Sequence, residues 1–437
     1  MAKEDNRGKD SESETAAPER GKKGVRCRIC TGCGLCPGVI SSAWQNRNLT
    51  ESGQGIHVLA EDALYGEKTP LPGDGCMRLV TADVGTTTIA MLLYDRDGRV
   101  TDRYVSVNPQ TKYGADVISR IRAAEKKELA HDMGRLVQEV LERGIRRFQR
   151  QLAQGEKLFM VLAANTTMTY LLMGWETREL GYAPFTASHL SAAHKMFAGV
   201  PCIVFPGISA FVGGDMVAGI HACKMAHGQE LTLLVDLGTN GEMVLGNRDR
   251  RIACATAAGP AFEGGVNKGI WGADMISLLA RLRQEGILDE TGLMRDAFFE
   301  TGIRIGNVHV TQEAVRSVQL AKAAIAAGIE ILLECYGIRP EAVDRLVLAG
   351  GFGYYLDPQS AVEIGLLPGK LADRVVIGGN TVLTGALLAG RKLLMGGKDE
   401  LLAELSETVE RTEVINLALQ PGFEERYVGA MKINKSE

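Results

Sequence analysis

No stretch of 18 apolar residues runs through this 437-residue chain without polar interruption, which argues against a membrane-spanning helix. A basic surplus is also lacking. The formal charge is -4, so the bulk composition does not point to a nucleic-acid groove. Residues 1–26 lack the apolar core and small-residue cleavage site of a secretory signal. A disulfide framework is not expected either. Four of the nine cysteines crowd into ten residues, while Cys76, Cys202, Cys223, Cys254 and Cys335 are scattered. That distribution fits one metal centre plus isolated thiols in a reducing compartment. The expectation is a cytoplasmic protein without nucleic-acid or membrane partners.

What is present is length for two or three domains, 45% hydrophobic residues and 52 glycines. Many of the glycines cluster with Asp, Thr or Asn, as tight turns and close approach to a ligand require. Residues 1–24 are poor in apolar side chains and read as a disordered tail. A cysteine segment and linker follow over 25–76. From Met77, LVTADVGTTTIAMLLYDRDGRVTDRYVSV reads as three antiparallel strands joined by hairpins. A helical region spans about Asp116 to Leu152, with a break placed near His131, and KLFMVLAAN is a strand. Residues 178–200 read as irregular, in the manner of an insertion.

The second half repeats this outline. ELTLLVDLGTNGEMVLGNRDRRIACATAAG is again strand, acidic turn, strand, polar turn, strand. Two similar hairpin units point to duplicated lobes, expected over 77–200 and 201–425, with a short tail at 426–437. A long buried helix is expected over 310–337, and glycine turns follow the strands at DRLVLAGGFG and ADRVVIGGN. An acidic helix, a strand-like TEVINLAL and the segment FEERYVGAMKI complete the chain.

The chemistry lies in two Asp-X-Gly-Thr turns. Glycine lets backbone N–H groups reach an anion, and threonine adds hydroxyl donors. An aspartate at a strand end orients water or binds Mg²⁺, which prefers hard oxygens. The first turn supplies Asp83, Gly85, Thr86, Thr87 and Thr88; the second supplies Asp236, Gly238, Thr239, Asn240, Gly241 and Glu242. Either turn alone is as well explained by ordinary β-turn chemistry. The pair, in matching surroundings, is not.

This pattern resembles the superfamily of sugar kinases, actin and heat-shock chaperone ATPases. The resemblance implies an α/β fold of duplicated actin-like, ribonuclease H-like lobes around a central cleft that binds ATP. It makes the Asp83 turn the first phosphate element and the Asp236 turn the second. Val347 to Gly353, with Gly350, Gly351, Phe352 and Gly353, matches the adenosine element. Gly213 to Gly219 and Gly379 to Gly390 match the two connecting helices. Asp215, at the start of the first of these, is implied to orient the hydrolytic water or hold hydrated Mg²⁺. A helix-capping carboxylate is the plain alternative. Gly259 and Glu263, in ATAAGPAFEGG, are implied to line the cleft near the ribose. Lys268, Asn165 and Thr166 have both cleft and ordinary readings. His57, His189, His221 and His227 show no ligand spacing and read as ordinary residues.

Cys27, Cys30, Cys33 and Cys36 form a C-x2-C-x2-C-x2-C-P run. Thiolates at three-residue intervals suit an iron–sulfur cubane, the simplest being one [4Fe–4S] cluster held by all four. The bacterial ferredoxin run has three residues before its last cysteine, so the place of Cys36 differs. A structural zinc and an empty site both stay open here.

NPQTKYGADVISRI, VDLGTNGEMVLGN, CATAAGPAFEGG, VQLAKAAIAAGI, LAGGFG and IGLLPG further resemble the ATP-dependent reductive activators of corrinoid proteins, over about 77–425. That resemblance implies an ATPase that returns an inactive Co(II) corrinoid protein to Co(I). Its implied partners are a corrinoid methyltransferase system or corrinoid iron–sulfur protein and a low-potential electron donor. It also implies a homodimer, and an electron path that can include the N-terminal cluster. Lobe closure on ATP would act through the complex with the corrinoid protein. The family's known iron–sulfur arrangements, a plant-type N-terminal domain or C-terminal motifs, differ from this short cysteine run. A small-molecule kinase, a non-hydrolysing binding module and an activator of another low-potential enzyme are the competing readings.

Overall fold

The computed structural model describes residues 71, 76–238, 240–259, 272–305 and 308–434. The polar tail, Cys27, Cys30, Cys33, Cys36, Thr239, Glu263 and Lys268 lie outside these residues. Two six-stranded mixed sheets organise the molecule. The first contains β1 Met77–Val84, β2 Thr88–Tyr94, β3 Val100–Val107, β4 Lys157–Ala164, β5 Ala193–Phe197 and β6 Val200–Val204. Its order is β3-β2-β1-β4-β6-β5. The second contains β7 Thr232–Leu237, β8 Gly241–Gly246, β9 Arg251–Thr256, β12 Arg345–Ala349, β13 Val375–Gly379 and β14 Thr412–Val414, in the order β13-β12-β7-β8-β9-β14. A small hairpin of β10 Ile303–Ile305 and β11 Val308–Val310 lies apart.

The buried runs explain this arrangement. β1 is buried continuously from Leu79 to Ala82 and β4 from Met160 to Ala164, as strands covered on both faces are. β1 pairs antiparallel with β2 and parallel with β4; β7 pairs antiparallel with β8 and parallel with β12. The helices used below are α1 Val117–Ala124, α2 Lys127–Gln149, α3 Thr166–Met173, α4 Gly214–Ala222, α5 Gly272–Gln284, α6 Gln312–Tyr336, α7 Gly350–Tyr355, α8 Thr381–Leu394, α9 Lys398–Glu410 and α10 Phe423–Gly429. α2 packs Met133, Val137, Leu141 and Phe148 on one side of the first sheet. α6 and α5 cover the second sheet through Ile325, Ile329, Ile276 and Leu279.

A third core joins the lobes. Leu79 and Val161 of the first sheet and Leu234 and Val347 of the second enclose Met216 and Val217 of α4 and Leu383 and Ala386 of α8. The two helices cross at small residues. A β-carbon on Gly385 would lie 2.0 Å from the carbonyl oxygen of Ala218, so glycine is the residue this crossing admits.

Several local expectations shift. The helical break falls at Glu125 and Lys126, ahead of His131, where the Lys126 backbone turns extended and leaves the helical ladder. Residues 193–197 form the edge strand β5, with its even positions turned to solvent. β6, starting at the expected lobe boundary, pairs with β4 in the first sheet. LAGGFG turns into helix α7 at its first glycine, and only Thr412–Val414 of TEVINLAL is strand. No helix among the described residues is long and apolar enough to cross a membrane.

Candidate functional site

Asp83 is the next-to-last residue of β1 and Asp236 of β7, and the duplicated strand plan leaves the two close enough for their charges to interact. In the first turn the Gly85 amide donates to the Thr88 carbonyl at 2.9 Å. Three asparagines brace it. Asn108 donates its side-chain amide to the Gly85 carbonyl at 2.9 Å, and its backbone amide to the Thr87 carbonyl at 2.8 Å. Asn165, the N-cap of α3, donates to Thr86 Oγ1 at 3.1 Å. Asn380, the N-cap of α8, donates to Asp83 Oδ2 at 2.8 Å while accepting from the Leu383 amide at 2.8 Å. Thr86 is thereby buried, and Thr87 and Thr88 are half-buried at the turn.

The second turn is built differently. The Gly238 amide donates to the Asn240 carbonyl at 3.0 Å. Glu242 lies directly across from Asp236 in the β7–β8 register, which puts both carboxylates on one sheet face. Gly350, the first residue of α7, has φ of 81°. A β-carbon there would come within 2.5 Å of Asp236 Oδ1 and 2.6 Å of the Leu237 carbonyl oxygen. The start of α7 and the Asp236 turn therefore touch, and glycine is the residue that both the backbone angle and the space admit.

Asp215 completes the cluster from the first turn of α4, with Oδ1 accepting from the Met216 amide at 2.8 Å. Desolvation pushes Asp83 up to about 7, against the Asn380 hydrogen bond, with the Asp215 charge adding to the rise. Asp236 rises to about 7 through desolvation and then the charges of Asp215 and Asp83. Desolvation raises Asp215 to about 6, restrained by the backbone amides of Met216, Asp215 and Gly213. Glu242 is held well above its usual range by desolvation, then by Asp215 and Asp236, with Asn240 opposing. Four interacting carboxylates of this kind cannot all ionise at neutral pH without a counter-charge. Hard oxygens gathered around an anion-binding cleft suit Mg²⁺.

The fold thus brings Asp83, Asp215, Asp236 and Glu242 close enough for their charges to repel one another. Gly351 and Gly353 lie in the same helix start as Gly350, whereas the Phe352 side chain packs into the second-lobe core. Gly259 has φ of 74° with no heavy atom near where a β-carbon would sit. Asn108 and Asn380 were not singled out as site residues in the sequence. Their contacts cross the chain, and only their positions before helical segments signal them. A separate cavity of about 460 Å³, lined by Glu179, Tyr182 and His189 among others, lies in the first lobe and contains none of the four carboxylates.

Comparison with known proteins bears on this geometry. A family model of the RACo middle region matches residues 79–228. The model of the C-terminal domain of RACo, the ASKHA domain, matches residues 230–268 and 266–437. The corrinoid activation enzyme RamQ of Eubacterium limosum is 29% identical, over 80% of this chain and 69% of that protein. The Co(II) methylated amine-specific corrinoid protein reductase of Methanosarcina barkeri is 24% identical, over 70% of this chain and 68% of its own length. A solved structure of a reductive activator for corrinoid, iron–sulfur protein superposes with a TM-score of 0.72 at 29% identity. It covers 83% of this chain and 67% of that one. The fold is therefore that of an actin-like ATPase with duplicated α/β lobes.

Proposed function

The chain belongs to the RACo family of reductive corrinoid activators, and from that premise we propose that it hydrolyses ATP to return a Co(II) corrinoid protein to Co(I). The observation that carries the reading is the meeting of four carboxylates from both lobes at the mouths of two phosphate turns. Backbone amides around Gly85 and Gly238, with the hydroxyls of Thr86, Thr87, Thr88 and Thr239, bind the phosphates. Gly241 and Asn240 shape the second turn. Asp83, Asp236 and Glu242 hold hydrated Mg²⁺, whose charge, when bound, offsets theirs and that of the phosphates.

Asp215 accepts a hydrogen bond from the attacking water and orients it towards the terminal phosphorus. Water oxygen forms the new P–O bond, ADP leaves, and the water's proton passes to the surrounding carboxylates or solvent. Gly259, Glu263, Gly350, Gly351, the backbone of Phe352 and Gly353 form the adenosine side of the cleft in this reading. Because α4 and α8 join both sheets, closure on nucleotide changes the surface offered to the corrinoid partner. One electron from a low-potential donor reduces cobalt within that complex. The proposal extends to Cys27, Cys30, Cys33 and Cys36, whose thiolates suit an iron–sulfur cluster.

Anaerobic mixing of the full chain with a Co(II) corrinoid protein, an artificial reductant and ATP tests the reading by absorption spectroscopy. Co(I) is expected with ATP and Mg²⁺. Phosphoryl transfer to a small acceptor, with cobalt left as Co(II), would instead establish a kinase.

A further inference from the structure

At the far end of α4 from Asp215, three side chains converge that the nucleotide site does not use. His221 lies in the last turn of α4, His227 in the turn that follows, and Glu404 in α9. One ligand atom from each lies within 4.8 Å of the other two. The six-residue interval between the histidines carries no familiar ligand pattern, and the third member comes from the opposite end of the lobe's sequence. Folding thus brings together two histidines that show no ligand spacing in the sequence.

We propose that His221, His227 and Glu404 form a site for a borderline divalent metal, zinc being the type, which staples α4 and its following turn to α9. Two imidazoles and a carboxylate are a donor set of three-ligand zinc sites that keep a fourth position open. Bonds of about 2.0–2.1 Å place tetrahedral ligand atoms roughly 3.4 Å apart. Side-chain rotations of the order of an ångström close the present arrangement to that spacing. His227 is exposed and can make such a rotation, while half-buried His221 and Glu404 supply a more fixed base.

Lys392 of α8 now pairs with Glu404 through Oε1. It also sits 3.0 Å from Glu400 Oε1, and that second carboxylate receives its ammonium when a metal engages Glu404. The site differs in kind from the carboxylate cluster. Imidazole ligands favour zinc, nickel, copper or cobalt, whereas Mg²⁺ keeps to oxygen. Since α4 carries Asp215 in its first turn and His221 in its last, the metal fixes the outer end of the helix that reaches the nucleotide cleft.

The test is a Co²⁺ titration of the full chain, followed by absorption and repeated with Zn²⁺ in competition. The wild type is compared with His227→Ala, an exposed change that spares the fold, and with Glu404→Gln. Binding at this site gives d–d bands without the thiolate charge-transfer band that the cysteine run would produce. In both variants the thiolate-free signal is expected to weaken, with affinity falling at least about tenfold, since even outer-shell changes cost 10–100-fold. Zinc should also raise the wild-type melting temperature more than that of either variant. Equal affinity and spectra in wild type and variants would overturn the proposal, as would bound cobalt showing thiolate ligation alone.

Discussion

The two lobes share a strand plan and differ in how each holds its aspartate. The series β3-β2-β1-β4-β6 and β9-β8-β7-β12-β13 each run through two antiparallel pairs and then two parallel ones. Each then adds a strand at a different edge, β5 beside β6 in the first and β14 beside β9 in the second. Asp83 and Asp236 consequently occupy like places. Yet the first turn is braced by Asn108, Asn165 and Asn380, whereas the second faces Glu242 and Asp215. Duplication fixes where the two carboxylates sit, and later neighbours decide what each must bear. Hydrogen-bond donors steady the first lobe's turn; the second lobe gathers carboxylates whose charge only protons or a cation can relieve.

The largest expected effect comes from the residue between the lobes. Asp215→Asn should lower kcat for ATP hydrolysis by about 10²–10⁴-fold with little change in KM, as loss of a water-orienting base does. A change confined to KM in phosphate-release assays would place Asp215 in ground-state binding instead. Next, Asp236→Asn should raise the Mg²⁺ concentration for half-maximal turnover by about 10–100-fold. If Asp83→Asn gave the same shift and Asp236→Asn none, the charge-bearing role would belong to the braced lobe.

Stability should follow the same contrast at smaller size. Gly350→Ala forces a β-carbon against Asp236 at a positive φ and should cost about 1–3 kcal/mol. Asn380→Ala removes the α8 cap and the donor to Asp83 and should cost about 0.5–2 kcal/mol. Denaturant unfolding of both variants checks the order.

The pH dependence of the metal-free protein probes both aspartates at once. Asp83 and Asp236 have folded values near 7 against an ordinary 3.8. The folded state then binds more protons than the unfolded state between these limits. Their stabilising contribution is full below about 3.8 and is lost as pH rises through about 7. Melting curves from pH 4 to 8 should show that decline, and Mg²⁺ with ATP should reduce it. A flat metal-free profile would remove the crowded-carboxylate account.

Much of this was legible because turns are local. The strings DVGTTT and DLGTNG carry their glycines, threonines and acids within a few residues, and the strands beside them are strongly apolar. The long helix expected over 310–337 is Gln312–Tyr336 for the same reason. Contacts between distant residues were not legible. Asn380 announces a helix cap, but nothing near it indicates Asp83 as its second partner. The convergence of His221, His227 and Glu404 likewise needs α4 and α9 packed as they are. Edge strand β5 escaped because half of it faces solvent and lacks a continuous apolar run.

The central claim is that the two turns make one nucleotide site, and a double-mutant cycle on Mg²⁺-ATP affinity tests it most directly. Calorimetric titration of wild type, Asp83→Asn, Asp236→Asn and the combined variant gives the coupling between the lobes. The predicted result is a coupling of about 0.5–3 kcal/mol, as groups sharing one network show. Losses that add to within about 0.3–0.5 kcal/mol would mean that the turns act independently, contradicting a single site built from both lobes.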